Sequence, residues 1–131
     1  MYQAKPIIVH IEDDYGFRVV FRDILENRGL EVFEADDGDK GWDLVTNLHP
    51  SLVILDMVLH TVHGLEVLKR IRNNPKTNQT PVIILTALDA PEMVSKAKAL
   101  GANEYIMKSS MPTSEVLNII LRYANPVKPN A

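Results

Sequence analysis

Ile7-Ile8-Val9-His10-Ile11-Glu12-Asp13-Asp14 sets a short, mostly apolar run directly against three acids. A run this short, bounded by charge, reads as a buried strand. The pattern recurs where Leu52-Val53-Ile54-Leu55 is closed by Asp56 and Tyr105-Ile106-Met107 by Lys108. Val82 to Leu85, followed by Thr86, is a fourth such run, and Glu31 to Ala35 is a shorter fifth. Carboxylates ending two strands and an ammonium ending a third would gather into one cluster. That cluster repels itself unless a divalent cation and the lysine neutralise it. Such a cluster suits phosphoryl chemistry.

Between these runs, apolar residues fall at helical spacing. They are Phe17, Val20, Phe21, Ile24 and Leu25, then Trp42, Val45 and Leu48, then Leu65, Leu68 and Ile71. Met93, Ala97 and Leu100 continue the series, as do Val116, Leu117, Ile120 and Leu121. Gly29 and Gly101 stand where helices should stop, and Asp37-Gly38 and Asn73-Asn74-Pro75 read as turns. Strand and helix thus alternate five times. The expectation is an α/β fold, a doubly wound five-stranded parallel sheet covered by helices on both faces. Functional groups in such a fold collect at the carboxyl ends of the strands, where Asp13, Asp56, Thr86 and Lys108 all fall.

The 131 residues suit one domain, expected over 1–124, with 125–131 a polar, proline-bearing tail or cut linker. A formal charge of −3 gives no reason to expect direct nucleic-acid binding. No apolar run approaches the roughly 20 residues that span a bilayer, and the first residues lack a secretory core. The default location is cytoplasmic. With no cysteine, thiol catalysis, thiolate metal sites and disulfides are all excluded.

Each candidate has a plainer reading. One of Glu12, Asp13 and Asp14 should cap the first helix, but a single cap does not require three adjacent acids. The other two remain to bind a hard cation such as Mg2+, with Asp13 and Asp56 as direct ligands and Glu12 acting through water. Asp56 follows a buried strand, where an acid is costly unless paired or metal-bound. Lys108 reads alone as a solvated strand end, yet beside the acids it can hold a carboxylate or phosphoryl oxygen. Thr86 adds a hydroxyl donor there. Asp36-Asp37-Gly38-Asp39 has the wrong spacing for a calcium loop and reads as a turn and helix start. His60 and His63 lack the further ligands of a zinc site. No GxxxxGK[ST] or GxGxxG loop supports nucleotide binding.

From Ile7 to about Tyr123 the chain resembles the receiver domain of two-component response regulators. The resemblance rests on Glu12 and Asp13 ending strand one, Asp56 ending strand three, and Gly64 eight residues later. It rests equally on Thr86-Ala87 ending strand four and on Tyr105 three residues before Lys108. It implies a flavodoxin-like (βα)5 fold with strand order 2-1-3-4-5 and a phosphorylation switch. Asp56 would take a phosphoryl group from a histidine kinase or phosphotransfer protein. Mg2+ would be held by Asp13, Asp56 and the carbonyl of Val58, with Glu12 acting through water. Lys108 would bind Asp56 before transfer and a phosphoryl oxygen afterwards. Thr86 would swing toward that group and Tyr105 would move inward, changing a partner-binding face. The unit would be a monomer or a phosphorylation-dependent homodimer, signalling through a downstream protein. It would not be an enzyme turning over a separate substrate.

Two positions depart from the family pattern, which usually has proline where His60 and Ser109 stand. Without proline, a cis bond costs about 2.5–4 kcal/mol, so the Lys108-Ser109 bond is predicted to be trans. Val58 and Leu88 occupy the positions that tune acyl-phosphate hydrolysis in the family. Both are apolar, so neither orients an attacking water, and a long-lived phosphorylated state is expected. The alternative is a pseudo-receiver, a binding module that never accepts phosphate. An aspartate-phosphorylated phosphatase of the haloacid dehalogenase kind would need a second Asp where Val58 stands. A flavodoxin-like FMN protein would meet repulsion from Glu12-Asp13-Asp14 at its phosphate loop.

Overall fold

The structure, a computed structural model, describes residues 4–125. Its elements alternate as β1 (Ile7–Ile11), α1 (Tyr15–Glu26), β2 (Glu31–Ala35), α2 (Gly38–Leu48) and β3 (Leu52–Leu55). They continue as α3 (Gly64–Asn73), β4 (Val82–Thr86), α4 (Pro91–Ala99), β5 (Glu104–Met107) and α5 (Thr113–Ala124). The strands form one parallel sheet in the order β2-β1-β3-β4-β5. This is the expected doubly wound α/β fold. Of the tail expected at 125–131, Asn125 closes α5 through its N–H to the Leu121 carbonyl, and the rest lies outside the described residues.

Strand side chains alternate between two cores. On one face Ile8, Leu52, Ile54, Ile83, Leu85 and Ile106 pack against Phe21 and Leu25 of α1 and against Val116, Leu117 and Ile120 of α5. On the other, Val9, Ile11, Val53, Leu55, Val82 and Ile84 pack against Val45 of α2, Val67, Leu68 and Ile71 of α3, and Ala97 of α4. Strands buried on both faces explain why the runs read as continuous apolar stretches rather than as alternation. Val20 departs from the expected helical stripe and is 55% exposed. It sits about 100° around the helix from Phe21, so Phe17, Phe21, Ile24 and Leu25 fill the face without it.

The helix ends follow local chemistry. Asp14 caps α1, its Oδ1 accepting the Phe17 N–H at 3.0 Å, so only Glu12 and Asp13 of the triplet remain for the site. Asp37 caps α2 by accepting the Lys40 N–H at 2.8 Å, so the calcium-like segment is a turn and helix start. Gly29 and Gly101 turn the chain after α1 and α4 with φ of 83° and 101°. Peptide bonds among the described residues are all trans, that of Lys108-Ser109 included, as predicted.

Gly41 lets α2 lie directly on β1: a Cβ there would stand 2.5 Å from Ile11 Cδ1, with the rest of that fully buried side chain close behind. Alanine in a helix is ordinarily better than glycine by about 0.5–1 kcal/mol, whereas overpacking a core costs about 1–3 kcal/mol. The steric cost should prevail at this position. Gly41→Ala is expected to lower the urea midpoint at unchanged slope. Gly16→Ala, whose Cβ would meet only Asp14 Oδ1 at 3.5 Å, should hold or raise it. A stabilised Gly41→Ala protein would show that α2 does not press on Ile11 as described.

Candidate functional site at the carboxyl edge of the sheet

The strand ladders continue one residue past β1, β3 and β5 and so fix the site by backbone bonds. Glu12 N donates to the Ala35 carbonyl at 2.9 Å, Asp56 N to that of Ile11 at 3.0 Å, and Lys108 N to that of Thr86 at 2.8 Å. Glu12 and Asp56 are buried, and Asp13 beside them is partly exposed. These three residues each offer a carboxylate oxygen, and the oxygens lie within 4.8 Å of one another. Lys108 Nζ lies 2.6 Å from Glu12 Oε1 and 3.6 Å from Asp56 Oδ2, and 4.1 Å from the centroid of the Phe17 ring. The ammonium therefore sits closer to Glu12 than to Asp56. Its contact with Glu12 is a close ion pair.

Three carboxylates against one ammonium leave an excess of negative charge in a largely buried site, which a divalent cation would neutralise. The donor set fits that ion. All three are hard oxygen ligands. Asp56 is held in turn, with Oδ1 accepting the Val58 N–H at 3.2 Å. The Val58 side chain is more than half exposed.

Gly64 determines how closely the start of α3 approaches the backbone of Asp56 and Met57. A Cβ there would collide with the Asp56 carbonyl oxygen and stand 2.7 Å from Met57 Cα. The Gly64 N–H donates to the Met57 carbonyl at 3.1 Å. Eight residues after Asp56, glycine is therefore a contact requirement of the β3–α3 turn.

Thr86 and Tyr105 converge on one residue of the β4–α4 loop. Leu88 N donates to Thr86 Oγ1 at 3.2 Å, and the Tyr105 hydroxyl donates to the Leu88 carbonyl at 3.0 Å. Thr86 is fully buried, and its hydroxyl is engaged with the loop. Of the two histidines, His63 stands at the start of α3 without making a capping bond. His60 Nε2 lies 3.4 Å from Asp13 Oδ2.

Sequence reading overlooked the residues that support the acids. Arg18 donates to the Glu12 carbonyl at 2.7 Å and lies 3.9 Å from Glu34, which also pairs with Arg22 at 2.6 Å. Phe17, a position of the helical apolar stripe, also faces the Lys108 ammonium. His10 is buried with Nδ1 unpartnered, its ring about 6 Å from those of Phe17 and Phe21. The one available signal was a polar residue inside the first apolar run.

Burial, opposed by Lys108 and reinforced by the charge on Asp56, raises the Glu12 carboxyl from 4.5 to about 7. A raised acid binds its proton more tightly in the folded chain. Its contribution is therefore complete below about pH 4.5 and is lost as pH climbs through about 7. Burial, with the charges of Lys108 and Arg18, lowers His10 from 6.5 to about 3, so its contribution is lost as pH falls through that window. The two act in opposite directions. In metal-free buffer, Glu12→Gln should gain on the wild type in urea midpoint as pH rises from about 4.5 to about 7. A difference independent of pH would contradict the raised carboxyl.

Over residues 8–120 the chain matches the response regulator receiver domain family. It is 32% identical over 130 residues to sporulation initiation phosphotransferase F of Bacillus subtilis (strain 168), covering 99% of this chain and 100% of that protein. It is 34% identical over 124 residues to the phosphate regulon transcriptional regulatory protein PhoB of Rhizobium meliloti (strain 1021), covering 92% of this chain but 54% of that regulator. Among solved structures, chemotaxis protein CheY4 of Vibrio cholerae superposes with a TM-score of 0.83 at 23% identity, covering 92% of this chain and 99% of that one, a likeness of fold alone. The BeF3-activated receiver domain of Klebsiella pneumoniae RstA matches at 0.79 with 26% identity, covering 89% of this chain and 97% of that one. Sequence match, sheet order and acidic triad agree: this chain belongs to the response regulator receiver domains of two-component systems.

Proposed function

We propose that Asp56 is a phosphoacceptor, taking a phosphoryl group from a phosphohistidine on a sensor histidine kinase or phosphotransfer protein. The observation that carries this reading is the placement of Asp56 between the Val58 N–H and Lys108, beside Glu12 and Asp13. In the transfer, an Asp56 carboxylate oxygen forms a bond to phosphorus as the donor's P–N bond breaks. The imidazole leaves with the electron pair and takes up a proton. Asp13, Asp56 and the Val58 carbonyl would hold Mg2+, with Glu12 acting through water, and the ion would supply charge neutralisation to the entering group. Lys108, only 3.6 Å from Asp56 Oδ2, is within reach of a phosphoryl oxygen attached there. The chain assists its own phosphorylation and dephosphorylation and is not an enzyme acting on a separate substrate. Residues 1–124 form the receiver unit of a cytoplasmic protein, monomeric or dimerising on phosphorylation, that hands its state to a downstream protein.

The output follows from the two bonds to Leu88. A phosphoryl group brings about two negative charges and attracts the Thr86 hydroxyl. As that hydroxyl turns toward it, the Leu88 N–H is released. The loop carrying Leu88 then shifts with Tyr105, which is bonded to the other side of the same residue. The surface formed by α4, β5 and α5 changes as a consequence.

Incubation with Mg2+ and acetyl phosphate should add one phosphate to the intact mass, and Asp56→Asn should abolish the gain. No gain, together with no spectral response to beryllofluoride, would favour the pseudo-receiver. Thr86→Ala should still accept phosphate but lose the beryllofluoride-induced chemical-shift changes at Leu88 and Tyr105. An undiminished response would remove Thr86 from the switch. With apolar Val58 and Leu88 beside the site, the acyl phosphate should survive for minutes or longer, and Val58→Asn should shorten its life several-fold. A lifetime of seconds that no substitution at either position lengthens would count against that reading.

A further inference from the structure

We propose that Phe17 is a positioning residue for phosphoryl transfer to Asp56: the face of its ring holds the Lys108 ammonium among the carboxylates, in place to meet the entering phosphoryl group. The inference rests on the phosphoacceptor reading above. Lys108 Nζ lies over the Phe17 ring, 4.1 Å from its centroid. That is inside the separation of about 6 Å at which the negative face of an aromatic ring attracts a cation. The same nitrogen stands 2.6 Å from Glu12 Oε1 and 3.6 Å from Asp56 Oδ2, so one ring and two carboxylates share it.

The ring is fixed from several sides. Phe17 stands in the first turn of α1, where its N–H donates to the capping Asp14. Its ring stacks on that of Phe21, with centroids 4.6 Å apart, and Phe21 is buried in the core beneath the helix. The buried His10 ring of β1 meets both at a steep angle, 6.1 Å from Phe17 and 6.0 Å from Phe21. The surface offered to the ammonium is therefore set by the helix cap and the core.

The lysine has less to hold it. Its N–H is anchored on the Thr86 carbonyl, but a long flexible stem separates that anchor from the ammonium, and Ser109 follows through a trans bond that adds no ring constraint. With the side chain 19% exposed, water competes for the charge. An aliphatic residue in place of Phe17 would desolvate the ammonium and return no attraction, which favours a lysine turned to solvent. A ring face also has no single acceptor atom. The ammonium keeps that attraction while it turns from Glu12 toward a phosphoryl oxygen on Asp56, whose carboxylate offers an oxygen within 4.8 Å of one on Glu12.

Side-chain NMR, together with the rate of phosphorylation by acetyl phosphate at saturating Mg2+, tests the proposal on the full chain, on Phe17→Leu and on Phe17→Tyr. The ring current should hold the Lys108 Hε protons upfield in the wild type and in Phe17→Tyr, and Phe17→Leu should return them to the ordinary lysine position. Phe17→Leu should take up phosphate about three- to ten-fold more slowly, and Phe17→Tyr within about two-fold of the wild-type rate. Should Phe17→Leu fail to fold, Phe17→Met replaces it with the same expectations. Lysine resonances that the aliphatic variant does not move, or an unchanged rate in that variant while the wild type gains phosphate, would overturn this inference and leave the phosphoacceptor reading standing. A wild type that gains no phosphate would overturn both.

Discussion

The ionic contact between Lys108 Nζ and Glu12 Oε1, at 2.6 Å, joins the carboxyl ends of β5 and β1, although β4 and β3 lie between those strands in the sheet. Burying such a pair costs more desolvation than its attraction returns unless the geometry is good and the remaining valences are met. Here the compensation is distributed. Phe17 offers a ring face to the ammonium, Asp14 N donates to Glu12 Oε2 at 3.1 Å, and Arg18 binds the Glu12 carbonyl. The elevated Glu12 carboxyl reflects the desolvation that is not offset. That uncompensated charge is what the proposed cation and phosphoryl group would act on.

The same cluster constrains the register of the sheet. Strand ends must coincide to bring Glu12, Asp56 and Lys108 together. The paired registers of Ile11 with Ala35 and Leu55, and of Thr86 with Met107, bring this about. Away from the site, Arg72 performs a comparable fastening role. It donates to the carbonyls of Thr80 at 2.7 Å and Gly101 at 2.9 Å, tying α3 to the turns that precede β4 and β5. The β4–α4 loop, in contrast, hangs from two side-chain bonds to Leu88. Two hydrogen bonds, each worth about 0.5–1.5 kcal/mol net, form a linkage weak enough to rearrange when a charged group arrives.

The strands and their order along the chain were legible because a sheet buried on both faces writes itself as uninterrupted apolar runs, each ended by the residue that must meet solvent or a ligand. Asp56 and Lys108 were legible for the same reason. The helices were legible less completely. Val20 satisfied the spacing but lies at the margin of its stripe. Val67 escaped notice because α3 faces α2 as well as the sheet, which broadens its buried face. Arg18 and Glu34 looked like ordinary surface charges, since a pair separated by sixteen positions has no local signature.

By itself the sequence determined the alternation of elements, that one of three adjacent acids caps α1, the helix start at Asp36 to Asp39, the glycines at the helix ends and the identity of the acids, because each follows from neighbours within a few residues. Only the tertiary structure decided that Lys108 rests nearer Glu12 than Asp56, that Thr86 and Tyr105 grip opposite sides of Leu88, and that His60 faces Asp13. Those are relations between loops whose ends are set by different strands. Their distances are settled by sheet register and helix packing, and no stretch of contiguous sequence encodes them.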